Sequence, residues 1–145
     1  MIFREATRRD LPAVLALIDD DRAERAEVTE AHERAFAAIE ADARNEVLVL
    51  ADGDVLVGCL QLTYVPGLGR GGRERALVEA VRIRPDRRGG GLGAELMRLA
   101  VERARGRGCG LVQLTSNKRR DAAHRFYERL GFARSHEGFK LHLEP

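Results

Sequence analysis

A cluster of glycines constrains the fold of this 145-residue chain more than any other feature of its sequence. Four of the five residues from Gly89 to Gly93 are glycines, and they separate a strand-like stretch ending at Pro85 from an apolar pattern with helical spacing. Glycine permits backbone conformations that other residues avoid, and N–H groups at the start of a helix attract anions. The order strand, glycine turn, helix therefore predicts a phosphate site; the alternative is a flexible turn without a ligand.

The kind of phosphate site can be narrowed from the flanking residues. Arg87 and Arg88 precede the cluster, so side-chain charge would add to the backbone dipoles. Residues 89–94 match the dinucleotide-binding pattern G-x-G-x-x-G/A, but the preceding strand ends in Arg82-Ile83-Arg84-Pro85 rather than in an apolar run. No acidic residue stands about 20 residues further on to hold a ribose, and no Gly-Lys-Ser/Thr is present. A dinucleotide fold and a P-loop are therefore rejected.

Apolar periodicity over residues 1–145 predicts a single domain of the α+β class. We expect a mixed, largely antiparallel sheet of six or seven strands flanked by about four helices. The predicted strands cover residues 2–6, 46–51, 55–65, 74–84, 111–115, 132–135 and 139–143. The predicted helices cover residues 11–18, 29–44 and 121–130, together with a helix that runs from Leu92 until Gly106 and Gly108 stop it. Thr29 is the predicted N-cap of the second helix, and Asp52-Gly53-Asp54 is the predicted turn of a hairpin.

The composition excludes several classes of function. The chain has 25 basic residues, of which only Lys118 and Lys140 are lysines, and an excess of arginine suggests nucleic-acid binding. However, 23 acidic residues reduce the net charge to +2 and only 5% of residues are aromatic, so compositional drift explains the arginines better. No apolar run reaches the roughly 20 residues of a membrane span. Two cysteines form no disulfide framework or metal-ligand spacing, and residues 1–5 do not resemble a signal peptide, so we expect a cytoplasmic protein without a metal, nucleic-acid or membrane partner.

Two motifs resemble those of a known family. Arg88-x-x-Gly91-x-Gly93 resembles the Q/R-x-x-G-x-G/A signature of the GNAT superfamily of N-acetyltransferases. It lies within residues 78–93, which are similar to the family's fourth strand and pyrophosphate loop. Residues 114–117 and 124–132 resemble the family's later acetyl-CoA motif, and the predicted order of elements agrees. The resemblance implies the GNAT fold, in which a bulge lets the strands before and after the pyrophosphate helix splay apart.

The resemblance also implies acetyl-CoA as cosubstrate and assigns residues to it. The backbone N–H groups from Gly89 to Ala94, together with Arg88, would bind the pyrophosphate. The edge formed by residues 81–83 would pair with the pantetheine arm as an added strand does, and Asn117 sits where the family often contacts that arm. The implied binding residues are Val81, Arg82, Ile83, Arg88, Gly89, Gly90, Gly91, Leu92, Gly93, Ala94 and Asn117.

The chemistry of acetyl transfer to a primary amine suggests two catalytic residues. An alkyl ammonium has a pKa of about 10 and must lose a proton before it attacks the thioester directly. Glu79, before the pantetheine edge, is the candidate general base acting through water; its alternative is a buried, ion-paired carboxylate. A backbone N–H near Val81 could hold the oxyanion. Tyr127 is the candidate acid that protonates the departing thiolate; its alternative is a core aromatic residue.

Charge is distributed unevenly along the chain. Residues 19–46 carry a net charge of −6 and residues 82–107 a net charge of +5. In the resembled family the first two helices border the acceptor site, so we hypothesise a cationic amine acceptor attracted by the acidic stretch; the alternative is a solvated acidic helix face. A non-catalytic acyl-CoA-binding or regulatory module is the rival function. The acceptor's identity and the choice between monomer and homodimer stay open.

Overall fold

The computed structural model describes residues 1–19 and 25–144 and divides into two compact units, Met1–Leu114 and Thr115–Pro145. Residues 20–24 contribute three acidic side chains to the acidic stretch, and they lie outside the described residues.

The first unit is built on a five-stranded sheet. Its strands are β1 (Ile2–Glu5), β2 (Asn45–Asp52), β3 (Val55–Val65), β4 (Arg75–Ile83) and β5 (Leu111–Leu114), which lie side by side in that order. The first three pairings are antiparallel and the pairing of β4 with β5 is parallel, which confirms a mixed, mostly antiparallel sheet. Gly53, with a φ of +61°, turns the chain between β2 and β3 at the predicted hairpin.

The predicted count of six or seven strands is wrong, because the described residues form five. Residues 132–135 and 139–143, predicted as the last two strands, adopt neither helix nor strand. An alternating pattern indicates which side chains would share one face of a strand. A strand also needs a neighbour for its backbone N–H and C=O groups, and the pattern carries no information about that neighbour.

Four helices accompany the sheet, as predicted. They are α1 (Leu11–Ile18), α2 (Glu30–Glu40) and α3 (Leu92–Arg107) in the first unit and α4 (Asp121–Arg129) in the second. Gly106 lies within α3 and does not stop it, contrary to the prediction, whereas Gly108 caps its end. Thr29 caps α2, since its Oγ1 accepts a hydrogen bond from the N–H of His32 at 3.3 Å. α2 ends at Glu40 rather than at the predicted Arg44. Asp42 Oδ1 accepts a hydrogen bond from the N–H of Arg44 at 2.9 Å. This side-chain hydrogen bond favours a tight turn here and competes with continuation of the helix.

Helices cover both faces of the sheet. On one face, α1 packs against Val49 of β2 and Cys59 of β3. On the other face, a Cβ atom at Gly58 would lie 3.4 Å from Cδ2 of Leu96 in α3. Because neighbouring residues of a strand point to opposite faces, α1 and α3 lie on opposite sides of β3. Residues 57–60 are all buried, so the middle of β3 is the centre of the core.

A polar cluster joins β2 and β3 to α3. The carboxylate of Glu46 accepts hydrogen bonds from the Tyr64 hydroxyl at 2.5 Å and from Nε of Arg103 at 3.0 Å. The guanidinium of Arg107 lies 4.0 Å from the centre of the Tyr64 ring. Burial opposes ionisation of Glu46, but the hydrogen bonds from Arg103 and Tyr64 outweigh it and lower the pKa of this carboxyl. Burial and the Glu46 carboxylate together raise the pKa of Tyr64.

Candidate active site

The glycine turn adopts backbone angles that glycine reaches without strain. Gly89 and Gly91 have φ angles of +83° and +84°, in the left-handed region. A Cβ atom at either position would meet no atom within 4 Å, so the backbone conformation rather than crowding explains the glycines. α3 begins immediately afterwards at Leu92, and the first N–H groups of a helix have no carbonyl partner within it. Residues 89–91 are exposed, so an anion can reach this helix start.

The two arginines before the turn have different partners. Nη1 of Arg87 donates to Oδ2 of Asp52 at 3.0 Å, and this ion pair offsets the charge of Arg87. Nε of Arg88 donates to the carbonyl of Ile83, the last residue of β4, at 3.1 Å. The exposed side chain of Arg88 is therefore held where β4 leads into the turn.

β4 contains a bulge just upstream of the glycine turn. One residue of β3, Leu60, faces two residues of β4, Ala80 and Val81, where the register of the two strands shifts. Ala80 has a φ of +54°, which is strained for a residue with a side chain. Such strain persists where the surrounding structure requires it and is frequent at functional sites.

The bulge coincides with the end of pairing between β4 and β5. β5 pairs with β4 only from Arg75 to Val78. From Glu79 to Ile83, β4 has a strand neighbour on the β3 side alone within the described residues. Backbone groups on an open strand edge can pair with an extended ligand as an added strand would. The open segment includes Val81, Arg82 and Ile83, the predicted pantetheine edge.

Glu79 and Arg82 lie on either side of the bulge. Glu79 is exposed, so the alternative interpretation of a buried carboxylate is wrong. An exposed carboxylate beside an open edge is accessible to water and to an incoming amine. Nε of Arg82 donates to the carbonyl of Ile18 at the end of α1 at 3.3 Å, and its Nη1 donates to the carbonyl of Val81 at 3.0 Å. Arg82 thereby ties the bulged strand to α1.

Gly58, which belongs to none of the sequence motifs, lies against the bulged strand. A Cβ atom at Gly58 would lie 3.0 Å from Cδ1 of Ile83 and 3.2 Å from the carbonyl oxygen of Arg82. These distances are too short for ordinary contacts, so glycine lets β3 and β4 approach each other here. A lone glycine inside a strand pattern signals such a close approach and could have indicated this position.

In the second unit, hydrogen bonds fix the loop that carries Asn117. Oδ1 of Asn117 accepts from the N–H of Arg119 at 3.0 Å. The carbonyl of Asn117 accepts from the N–H of Arg120 at 3.0 Å and from Nε2 of His124 at 2.8 Å. A carbonyl only accepts, so Nε2 is the ring nitrogen of His124 that carries hydrogen. With Oδ1 engaged in the turn, the side-chain nitrogen of Asn117 is the group suited to donate to a ligand.

Tyr127 lies on α4 and is half-buried. Its ring meets Phe126 edge-on, with the ring centres 5.2 Å apart, and Phe132 in the same manner at 6.0 Å. Edge-to-face aromatic contacts of this kind hold a ring in one orientation. The second unit therefore orients the candidate acid through two aromatic neighbours.

Comparison with known proteins identifies the family. The sequence model of the acetyltransferase (GNAT) family matches residues 11–132, well over half of the chain. The chain belongs to this family.

Three proteins illustrate the likeness of this GNAT chain to others. The aminoalkylphosphonate N-acetyltransferase of Salmonella typhimurium is 34% identical over 138 residues, which are 94% of this chain and 88% of that protein. The streptothricin acetyltransferase of Streptomyces lavendulae is 37% identical over 94 residues, 65% of this chain and 47% of that protein. The crystal structure of a transcriptional regulator from Bacillus halodurans has a TM-score of 0.91 at 44% identity and covers 98% of this chain and 99% of its own. The GNAT chain spans about half the length of two curated relatives that it matches.

An open groove of about 400 Å³ lies beside α2 in the GNAT chain, and part of the acidic stretch lines it. Glu33 accepts a hydrogen bond from Nη2 of Arg8 at 2.8 Å, and Glu30 lies 3.8 Å from Nη1 of Arg34. These ion pairs reduce the negative charge available to attract a cation. The groove is lined by Arg8, Leu11, Glu30, Glu33, Arg34, Phe36, Ala37 and Glu40.

Both cysteines of the GNAT chain have free thiols that resist ionisation. Burial raises the pKa of the Cys59 thiol to about 12. Burial and the Glu74 carboxylate raise the pKa of Cys109. Because the thiolate is the nucleophilic form of cysteine, neither residue is poised to accept an acetyl group at neutral pH.

Residues 1–19 and 25–144 of the GNAT chain contain neither a metal-ligand cluster nor a membrane-spanning helix. No group of three or more His, Cys, Asp or Glu side chains in these ranges is placed to hold a metal ion. No helix in the same ranges is long and apolar enough to span a bilayer.

Proposed function

We propose that this chain is an N-acetyltransferase that moves an acetyl group from acetyl-CoA to a primary amine by direct attack in a ternary complex. The observation that carries the proposal is the bulge at Ala80 followed by the glycine turn at the start of α3. Together they offer an open strand edge and a helix N-terminus in succession, which suit an extended arm ending in a pyrophosphate. The family match runs from residue 11 to residue 132 and so spans both units, which supports one domain over residues 1–145.

The residues present suit the cosubstrate. The backbone N–H groups from Gly89 to Ala94 would bind the pyrophosphate, with Arg88 adding a guanidinium at the end of β4. The open edge at Val81, Arg82 and Ile83 would pair with the pantetheine arm. Asn117, fixed in its loop by His124 and Arg120, would donate its side-chain N–H to the same arm.

Glu79 and Tyr127 would carry out the proton transfers. Glu79 would accept the proton of the ammonium group through water, and its exposure beside the open edge supports that role. The backbone N–H of Val81, next to the bulge, would stabilise the negative charge that develops on the carbonyl oxygen. The Tyr127 hydroxyl would give its proton to the departing sulfur. The raised pKa values of Cys59 and Cys109 support direct attack over transfer through a cysteine.

The class of acceptor is proposed from charge and from the relatives. Streptothricin and aminoalkylphosphonate acetyltransferases are named for amine substrates, which supports an amine acceptor here. A cationic amine remains our hypothesis, based on the net charge of −6 over residues 19–46. The ion pairs of Glu30 and Glu33 weaken this hypothesis, since their charges are shared with arginines. An amine panel in which the best acceptors are anionic or neutral would overturn it.

A second candidate function is a regulatory module that binds acyl-CoA without transferring the acyl group. One observation favours it: the protein with the 44% identical crystal structure is named a transcriptional regulator. Such a module needs the glycine turn and the open edge but neither Glu79 nor Tyr127. The exposed position of Glu79 beside the bulge favours the enzyme.

A thiol-release assay with acetyl-CoA and a broad panel of amines and peptides tests the proposal. We expect coenzyme A to be released only when a suitable primary amine is present. Mass spectrometry of the product should show one added acetyl group on nitrogen. Acetyl-CoA binding by calorimetry without acetylation of any amine would favour the regulatory module instead.

A further inference from the structure

The side chains of Cys59 and Arg82 both donate to carbonyl groups at the bulge of β4. Sγ of Cys59 lies 3.7 Å from the carbonyl oxygen of Ala80, and Nη1 of Arg82 lies 3.0 Å from that of Val81. A bulge disrupts the regular ladder of backbone hydrogen bonds, so its peptide groups need other contacts to fix their orientation. The proton transfers of the proposed reaction use neither side chain.

Cys59 is suited to donate a hydrogen bond rather than to react. Its side chain is 1% exposed and packs with Val14, Leu17 and Val49 against α1. Burial raises the pKa of the thiol to about 12, so at neutral pH the sulfur carries its hydrogen. A thiol is a weak donor, but a hydrogen bond gains strength where water is excluded.

Arg82 links the bulge to α1. It faces Cys59 in the register of β3 and β4, so the two side chains emerge on the same face of the sheet. Its Nε donates to the carbonyl of Ile18 at 3.3 Å, while its Nη1 reaches the Val81 carbonyl. A guanidinium offers several donors in a rigid plane and keeps its charge at any ordinary pH. Arg82 can therefore fix the position of the Val81 carbonyl relative to α1.

The two contacts fix the peptide groups on either side of Val81. One planar peptide group carries both the Ala80 carbonyl and the Val81 N–H, so the orientation of the carbonyl determines that of the N–H. The φ of +54° at Ala80 is a strained conformation that persists only where the surrounding structure requires it. Donation to the Ala80 carbonyl also polarises the peptide group and strengthens the Val81 N–H as a donor.

We propose that Cys59 and Arg82 are positioning residues that hold the Val81 N–H in the orientation that stabilises negative charge on the acetyl carbonyl oxygen. This inference rests on the proposed N-acetyltransferase reaction, in which that N–H is the oxyanion donor. Such a donor is effective only when it is aimed at the place where the charge develops. Loss of either side-chain contact should therefore lower kcat more than it weakens binding of the cosubstrate.

Two pairs of variants test the proposal in the thiol-release assay. Cys59→Ala and Cys59→Ser remove a similar volume from the core, but only serine keeps a hydrogen-bond donor. We expect kcat to fall roughly tenfold in Cys59→Ala, part of the hundredfold or more that loss of a whole oxyanion donor costs, and to recover for the most part in Cys59→Ser. Arg82→Met and Arg82→Lys repeat the comparison, since lysine keeps one charged donor. Coenzyme A affinity, measured by calorimetry, should change little in all four.

Val49→Ala is the matched control for lost stability. Val49 pairs with Cys59 from β2 and belongs to the same core cluster, so its truncation removes core volume on the side away from β4. We expect a lower melting temperature with kcat unchanged. A loss of kcat in Val49→Ala equal to that in Cys59→Ala, or a Cys59→Ser variant as slow as Cys59→Ala, overturns the positioning role. The two Cys59 variants decide the question if Arg82→Met does not fold.

The same assay separates this proposal from the proposed function. A wild-type chain that releases no coenzyme A with any amine overturns the proposed function and the positioning role with it. An active wild type whose kcat is retained in Cys59→Ala and Arg82→Met overturns the positioning role alone.

Infrared spectroscopy of bound acetyl-CoA, isotopically labelled at its acetyl carbonyl, gives a readout that does not depend on turnover. A hydrogen bond from the Val81 N–H weakens the carbonyl bond and lowers its stretching frequency. We expect a lowered frequency in the wild type and in Val49→Ala, and a return toward the value of free acetyl-CoA in Cys59→Ala and Arg82→Met. The same frequency in the wild type and in these last two variants overturns the positioning role.

Discussion

The side chains proposed to act in catalysis are held by neighbours that a sequence pattern does not reveal. The motifs identified Asn117 and Tyr127, but not the hydrogen bond from His124 to the Asn117 carbonyl or the edge-on contact of Phe132. A motif gives residue types at fixed spacings. The contacts between their atoms depend on the conformation of the loop, which the motif does not specify. For Glu79, the sequence was equally compatible with a buried and an exposed side chain.

Tyr127→Phe tests the candidate acid. Without the hydroxyl the departing sulfur has no positioned proton donor, so we expect kcat to fall roughly a hundredfold, the lower range of general-acid effects. Acetyl-CoA affinity, measured by calorimetry, should stay nearly unchanged. Tyr64 is the other tyrosine of the chain, and its hydroxyl bonds Glu46 in the polar cluster. Tyr64→Phe should lower the melting temperature and leave kcat intact; equal losses of kcat in the two variants would remove Tyr127 from the acid role.

His124→Ala tests whether the hydrogen bond to Asn117 positions the cosubstrate. Loss of one hydrogen bond of about 1 kcal/mol should raise the KM for acetyl-CoA roughly fivefold with little change in kcat. His124→Gln keeps an N–H donor and should restore most of the affinity. In an Asn117→Ala background the effect of His124→Ala should largely disappear. A fall in kcat at constant KM would contradict this positioning role.

The sequence predicts the positions of strands and helices better than it predicts which strands pair. The glycine turn, the hairpin at Gly53 and the four helices follow from local residue chemistry, since turns, caps and periodicity are read from neighbouring positions. The bulge at Ala80 and the end of β4–β5 pairing at Val78 depend on register between distant segments. The prediction of two further strands was wrong for the same reason: an alternating pattern such as that of residues 139–143 does not specify a pairing partner.

Gly58→Ala tests how closely β3 must approach the bulged strand. The added Cβ would lie 3.0 Å from Cδ1 of Ile83, so we expect a loss of stability of about 1–3 kcal/mol and weaker coenzyme A binding. Ile83→Val removes that Cδ1 atom, and the double variant should regain part of both losses. Stability is read from urea unfolding and affinity from calorimetry. A double variant as impaired as Gly58→Ala alone would show that the Ile83 contact is not the cause.

Glu46→Gln tests the polar cluster that joins β2 and β3 to α3. We expect the free energy of unfolding at pH 7 to fall by about 2 kcal/mol, because charge-assisted hydrogen bonds from Arg103 and Tyr64 are weakened. The pKa of Glu46 is lowered in the folded state from 4.5, so its contribution is present above pH 4.5 and is lost as the pH falls through the folded-state pKa. The free energies of unfolding of the wild type and the variant should therefore become equal at acid pH.

The exposed pair of Glu95 with Arg98 provides the control for Glu46. Glu95→Gln should change stability much less than Glu46→Gln, because surface ion pairs contribute little. A constant difference between wild type and Glu46→Gln from pH 7 down to strong acid would contradict the account of the cluster.

Considered as a whole, the molecule shows what its arginines do. The sequence predicted that most of them reflect composition, and it could not assign partners. The structure pairs many of them with carboxylates distant in sequence, such as Arg8 with Glu33, Arg87 with Asp52 and Arg103 with Glu46. The chain's 23 acidic residues, which hold its net charge at +2, supply the partners in these pairs.

The central claim is that the glycine turn before α3 holds the pyrophosphate of coenzyme A, and calorimetry of coenzyme A binding to Gly91→Ala tests it most directly. Gly91 has a φ of +84°, so alanine there strains the turn, whereas Gly106 lies within α3 with nothing within 4 Å of a Cβ atom and provides the control. We predict that Gly91→Ala weakens coenzyme A binding by tenfold or more and that Gly106→Ala binds like the wild type. Unchanged affinity in a folded Gly91→Ala protein would contradict the claim.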